Sequence, residues 1–181
     1  MNHTTTSHTT LRTFGTVIFT ALACVALHYV RIPFPGTPVP LIVQPLGAFC
    51  AGALLGPWYG LLSQLIYLAT LPFTAWAPLG GIAMLWGPTI GYMWGIVLSS
   101  AAVGIIAKRP RSYTHTTILL CLITVLCIHL PGMAVLRAWY GAHAQAIPTW
   151  HALIGQAILP FLYGDLAKAM AAAYLIRHTT P

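Results

Sequence analysis

Asp165 is the only acidic residue in a chain of 181. Soluble domains carry about a quarter charged residues. Here charged residues make up 5% and hydrophobic residues 58%. Such a chain cannot clothe itself in a water-facing surface, so the composition specifies an integral membrane protein. Chemistry that needs two or three carboxylates is excluded from the start. The formal net charge is +7, but the eight Lys and Arg are scattered among apolar runs. That scatter excludes the basic stripe of a usual nucleic-acid binder, and no nucleic-acid partner is expected.

A spanning helix needs about 20 apolar residues. Six apolar runs predict six transmembrane helices: Thr13–Val30, Leu41–Gly56, Trp58–Leu71, Gly87–Ala107, Thr116–Trp139 and His151–Ile176. The expected organisation is a polar N-terminal tail over 1–12, one six-helix membrane domain over 13–177 and a short C-terminal tail over 178–181. The first run reads as a retained span, because Met1–Thr10 lacks the charged start of a signal peptide. Four prolines within Pro33–Pro40 break the chain into an extended loop. Gly56-Pro57 divides the second run from the third. Pro131-Gly132 predicts a kink, and Pro160 and Gly164 interrupt the sixth run. The four cysteines lie inside apolar runs and read as small buried hydrophobes.

Six spans put both termini on one side. Arg12, Lys108, Arg109, Arg111 and Arg177 share that side, whereas Arg31 and Arg137 fall opposite. The positive-inside rule then places both termini in the cytoplasm. It also gathers the Pro-rich loop, the Pro72–Trp86 connector and the fifth-to-sixth loop at the outer face, either as a lidded pocket or as covers for helix ends. Gly87, Gly91 and Gly95 recur every fourth position, as do Gly52 and Gly56. Such spacing predicts close helix approach in lipid. Thr16, Thr20 and Ala23 form a further small-residue stripe, facing either a neighbouring helix or another protein.

Asp165 and Lys168 stand out inside the sixth run. Each costs about 3 kcal/mol at mid-bilayer on insertion scales. Three residues apart, they share a helix face. They either neutralise each other as a structural pair or face a ligand that completes the set. Lys168 offers a point charge for a carboxylate, and Asp165 offers acceptors for N–H donors. A small molecule with an acid end, an N–H-rich end and an apolar middle would use both. Biotin, with its valerate and ureido ring, has that shape.

The blocks that carry these features resemble a known family. Pro38-Val39-Pro40-Leu41-Ile42-Val43-Gln44-Pro45-Leu46-Gly47, followed by Ala51-Gly52-Ala53-Leu54-Leu55-Gly56-Pro57, is similar to the signature of BioY proteins. Gly80-Gly81, Gly87-Pro88-Thr89-Ile90-Gly91-Tyr92 and Pro160-Phe161-Leu162-Tyr163-Gly164-Asp165-Leu166-Ala167-Lys168 resemble further family blocks, in the family order. The resemblance covers most of the chain from Thr13 to Ile176.

The resemblance implies the fold of an energy-coupling factor (ECF) transporter S component: all-α, six membrane helices, with a biotin pocket near the outer face. It implies a multi-pass protein of the cell membrane, the inner membrane of a bacterium. Its partners would be biotin, membrane lipid, a transmembrane coupling protein and two ABC-type ATPase subunits. The family's Gly-Asp-x-x-Lys element maps onto Gly164, Asp165 and Lys168. By physical role, Lys168 takes the carboxylate and Asp165 the ureido N–H groups. Gln44, Tyr92, Trp76 and Gly81 are the further ligand-binding candidates. The chain departs from the family at Ile90, where a glycine is usual. It also has no Asn except Asn2, whereas some relatives carry one in the third-to-fourth connector. Trp76, Trp86 or backbone groups there would have to supply that contact.

Other classes fit less well. A channel needs rings of polar groups around a wet pore. A metal-dependent intramembrane transferase needs clustered carboxylates. Cys127 and His129, two apart, point to different helix faces and make a poor nucleophilic pair. His28 and His129 read as packing residues. No HxxxH or HExxH spacing occurs, so no metal and no cofactor are expected. There is no GxxxxGK[ST] phosphate loop, so the chain is not read as an enzyme, and any ATP is hydrolysed elsewhere.

Overall fold

The computed structural model describes residues 3–32, 41–73, 85–109, 111–143 and 146–179. Helix α1 covers His3–His28. It begins ahead of the apolar run, because no Pro or Gly precedes Gly15 to stop it. A short antiparallel ribbon follows, β1 (Arg31–Ile32) against β2 (Leu41–Ile42), pairing Arg31 with Ile42 and Ile32 with Leu41. The helical segment α2 covers Gln44–Thr70 and closes with a tight turn at Leu71–Phe73. Then come α3 (Ile90–Ile106) and α4 (Tyr113–Ile123). A π-helical stretch, Thr124–His129, leads without a break into α5 (Leu130–Ala142). Helix α6 (Trp150–Ala157), a tight turn at Leu159–Phe161 and α7 (Leu162–Thr179) complete the chain. The sixth run thus breaks at Pro160, whereas Gly164 lies inside α7. Apart from the ribbon, the described architecture is helical.

Segment α2 is a hairpin. Gly56 adopts φ 77°, ψ 178°, a positive-φ conformation that suits glycine, and Pro57 follows it. Gln44 Nε2 donates to Gln64 Oε1 at 2.9 Å across 20 residues of sequence. A straight helix would hold those residues about 30 Å apart. A Cβ on Gly60 would lie 2.8 Å from Gly52 Cα, so the two arms also touch near the turn. By length and composition Gln44–Phe73 passes for one long span. The turn at Gly56 makes it two antiparallel arms, which correspond to the second and third runs.

Consecutive long helical segments alternate in direction along the chain. Cys24 and His28 of α1 meet Gln64 and Tyr67, so α1 runs parallel to the second arm. Gly60 meets Ser100 and Tyr67 meets Met93, so α3 runs antiparallel to that arm. Gly91 meets Pro131 and Gly95 meets Cys127, so the α4–α5 rod runs antiparallel to α3. Helix α3 is therefore the central post. One apolar cluster joins it to α1 and the second arm through Ala21, Tyr67, Leu68, Met93 and Val97. A larger one joins it to the first arm, α5 and α7 through Phe49, Tyr92, Ile96, Met133, Ala169 and Ala173.

The glycine stripes serve these contacts. A Cβ on Gly52 would overlap the Ser100 carbonyl oxygen, and one on Gly95 would overlap the Cys127 carbonyl oxygen. Pro131 cannot donate an N–H to the carbonyl of Cys127. At the position of the predicted kink lies the π-helical stretch, in which Leu130 N–H bonds Val125 O. π-bulges of this kind absorb local irregularity inside a helix.

The polarity is inverted relative to a soluble domain. Trp58, Phe73, Trp86 and Tyr163 are 79–86% exposed, while Gln44, Gln64, Ser99, Ser100, His129 and Asp165 are buried. Apolar surface of this extent belongs against lipid, with the polar groups turned inward.

The α2–α3 approach gives a direct expectation. Gly52→Ala pushes backbone against backbone and lowers stability by about 1–3 kcal/mol. Gly15→Ala on α1 meets nothing within 4 Å and leaves stability unchanged or higher. Thermal unfolding of both variants in detergent checks the contrast.

Candidate functional site

Asp165 sits on the inward face of α7, on a stripe with Ala169, Ala172, Ala173 and Ile176. Those alanines bring the helix close to its neighbours and carry the carboxylate into the interior. Lys168, one turn on, places Nζ 2.6 Å from Asp165 Oδ1. The shared face expected from their spacing is observed. The other oxygen, Oδ2, accepts from His129 Nε2 at 2.7 Å. His129 is the last residue of the π-helical stretch, so the irregular turn beneath Pro131 delivers it. Lys168 Nζ also donates to Ile42 O at 3.3 Å. That carbonyl belongs to β2, held in place by its pairing with β1. Three distant parts of the chain therefore meet at the Asp165–Lys168 pair.

Aromatic rings enclose the cluster. Phe161 stacks on the His129 ring at 6.4 Å and 27°, and Tyr92 meets it edge-on at 6.3 Å and 81°. Tyr92 reaches this position because Gly132 leaves room; a Cβ there would overlap its ring. Asp165 and His129 are 7% and 5% exposed. With so little water, the ion pair is held by geometry and by its extra hydrogen bonds. Two buried polar atoms here, Tyr92 Oη and His129 Nδ1, have no hydrogen-bond partner among the described residues.

The predicted candidates divide into three groups. Asp165, Lys168 and Tyr92 converge on the cluster. Gln44 is fully buried but belongs to a second polar layer between α1 and the α2 hairpin. There Gln64 Nε2 donates to Cys24 Sγ at 3.2 Å and to Ser63 Oγ at 3.3 Å, and Gln44 Oε1 is without a partner among the described residues. Trp76 and Gly81 lie outside the described residues. Trp86 lines an open apolar cleft of about 420 Å³ with Trp94 and Trp139, between α3 and α5. The cleft contains none of the charged cluster.

Sequence reasoning assigned His129 to packing and missed its bond to Asp165. A signal was present: a lone carboxylate in lipid needs more donors than one lysine, and His129 was one of two histidines inside spans. The comparison of His129 with Cys127 was the wrong pairing, since Nε2 is committed to Asp165. Gln64 was likewise missed. Among the described residues, no three His, Cys, Asp or Glu side chains are grouped to hold a metal ion.

The model of the BioY family matches residues 1–181. A probable biotin transporter BioY from Methanothermobacter thermautotrophicus is 35% identical over 138 residues, covering 72% of this chain and 87% of the relative. One from Bacillus subtilis is 33% identical over 168 residues, covering 87% and 84%. Among solved structures, the S component for biotin from an ECF-type ABC transporter superposes with a TM-score of 0.79 at 26% identity. That match covers 94% of this chain and 92% of the other.

The geometry makes the cluster sensitive to single changes. Asp165→Asn leaves Lys168 as a partly buried cation without a counter-charge, and stability falls by about 3 kcal/mol. Adding Lys168→Met to that variant removes the stranded charge and recovers most of the loss. Unfolding midpoints of the single and double variants in one detergent measure the difference.

Proposed function

The chain belongs to the BioY family, and from that membership we infer that it is the substrate-capture membrane subunit for biotin uptake. It is a transport protein and not an enzyme. The observation that carries the reading is the Asp165–Lys168 pair, 2.6 Å apart, buried inside an apolar helical body. A structural pair alone would not need buried polar atoms left without partners beside it, as Tyr92 Oη and His129 Nδ1 are among the described residues.

In this reading biotin's carboxylate goes to Lys168 and its ureido end to the Asp165 side. Lys168 can turn to the ligand because Asp165 keeps a second donor, His129. Tyr92 and Phe161 supply apolar surface for the ring system. Gln44 is a candidate contact from the neighbouring polar layer. Trp76 and Gly81 are candidates from the connector between the third and fourth runs, which the resemblance places over the pocket.

We place the capture site toward the outer face and both termini in the cytoplasm. Lys108, Arg109, Arg111 and Arg177 then lie on the cytoplasmic side, and Arg137 stacks its guanidinium 4.9 Å over the Trp150 ring on the other. A membrane domain over 13–177 would sit in the cell membrane, the inner membrane of a bacterium. With no phosphate loop in the sequence, ATP would be hydrolysed by partners: a transmembrane coupling protein and two ABC-type ATPases.

Calorimetric titration of the purified chain with biotin, beside riboflavin, thiamine and Ni²⁺, tests the assignment. Biotin alone binds at micromolar concentration or below; tight binding of another vitamin with none of biotin sinks it. Lys168→Ala weakens biotin by about tenfold or more while sparing biotinamide, which lacks the charged end. Equal losses for the two ligands would mark the pair as structural.

A further inference from the structure

His129 differs from the other histidines whose hydrogen bonds are seen. His143 Nδ1 bonds the Trp139 carbonyl one turn back, at 2.9 Å, and His28 Nδ1 bonds Tyr67 Oη at 2.8 Å. His129 Nδ1 is buried and has no partner among the described residues. The equivalent carbonyl one turn back, Val125 O, accepts instead from Leu130 N–H in the π-helical stretch. The ring is otherwise engaged by three neighbours. Phe161 stacks on it, Tyr92 meets it edge-on, and Nε2 is bound to Asp165.

The bond to Asp165 decides what Nδ1 offers. A carboxylate oxygen accepts, so Nε2 carries the hydrogen. In the neutral ring Nδ1 is then a bare lone pair, an acceptor. An unmet acceptor buried in an apolar site costs about 1–3 kcal/mol. Its complement is an N–H donor brought by a ligand. Asp165 is less free to play that part, because Lys168 and His129 each already hold one of its oxygens.

We propose that His129 is a third binding residue of this site and accepts a ring N–H of the bound ligand at Nδ1. Asp165 then acts as a positioning residue, fixing the tautomer and orientation of His129 as a carboxylate does for other histidines. Tyr92 Oη, buried and also without a partner, is the neighbouring donor for the ring carbonyl. An acceptor and a donor on adjoining rings match the N–H and C=O of a cyclic urea. The inference rests on the biotin reading and refines which groups hold the ureido end.

The test compares biotin with its two N-methyl derivatives, one for each ureido nitrogen. In the wild-type chain, methylating the nitrogen that faces His129 weakens binding by about tenfold or more, as expected when a buried acceptor loses its donor. In His129→Leu, biotin binds more weakly and that methylation penalty shrinks to within about twofold, because the acceptor it addressed is gone. A penalty that persists in His129→Leu overturns the proposal, as does its absence from the wild type. A second measurement needs no variant. In chain labelled with nitrogen-15 histidine, the His129 Nδ1 resonance moves on biotin addition and does not move with the disfavoured methyl derivative. An Nδ1 resonance unchanged by saturating biotin overturns the proposal. A wild-type chain that binds no biotin at all removes the biotin reading itself, a distinguishable failure.

Discussion

A carboxylate inside an apolar body is stable only when its oxygens are met by donors. Asp165 meets that condition through Lys168 on its own helix and His129 from the π-helical stretch. Lys168 in turn reaches the Ile42 carbonyl of the ribbon. The Asp165–Lys168 pair thus ties α7, the π-helical stretch and β2. In lipid, helices gain little from hydrophobic association, so packing and polar contacts of this kind decide how they assemble. The same ties make the cluster suited to a ligand. A lysine shared between a carboxylate and a carbonyl can exchange one partner for an incoming acid without stranding Asp165.

The rest of the fold serves to bring those three side chains together. Gly56 reverses α2, which returns the chain to the level of Gln44 and Ile42. Gly52, Gly91 and Gly95 let α3 press against its neighbours as a central post. Pro131 displaces the hydrogen-bond ladder of the α4–α5 rod, and the resulting π-helical stretch ends at His129. Gly132 opens the space that the Tyr92 ring fills. Small residues here act by allowing approach, and the charged residues act by fixing what has approached.

Much of this was legible in the sequence. A chain with one acid and six apolar runs reads as a membrane bundle before any geometry is known, and Gly56-Pro57 marks the hairpin that length alone would hide. Asp165 and Lys168 were legible because charge in an apolar run is rare and their spacing puts them on one face. His129 was not, because its role depends on α5 and α7 meeting at one level. No local pattern encodes that meeting. The π-helical stretch was also invisible: Pro131 announces an irregularity, but whether it bends the helix or widens a turn is decided by packing that no local pattern encodes. Gln44 is a mixed case. Its block marked the residue, but its bond to Gln64 from the other arm depends on the hairpin and was not legible.

The most direct measurement is an experimental structure of the chain with biotin bound. The charge cluster as capture site predicts the valerate carboxylate within hydrogen-bond distance of Lys168 Nζ and the ureido ring beside His129 and Tyr92. Biotin seated instead in the cleft of Trp86, Trp94 and Trp139, with Asp165 and Lys168 still paired to each other and untouched by it, would contradict that site.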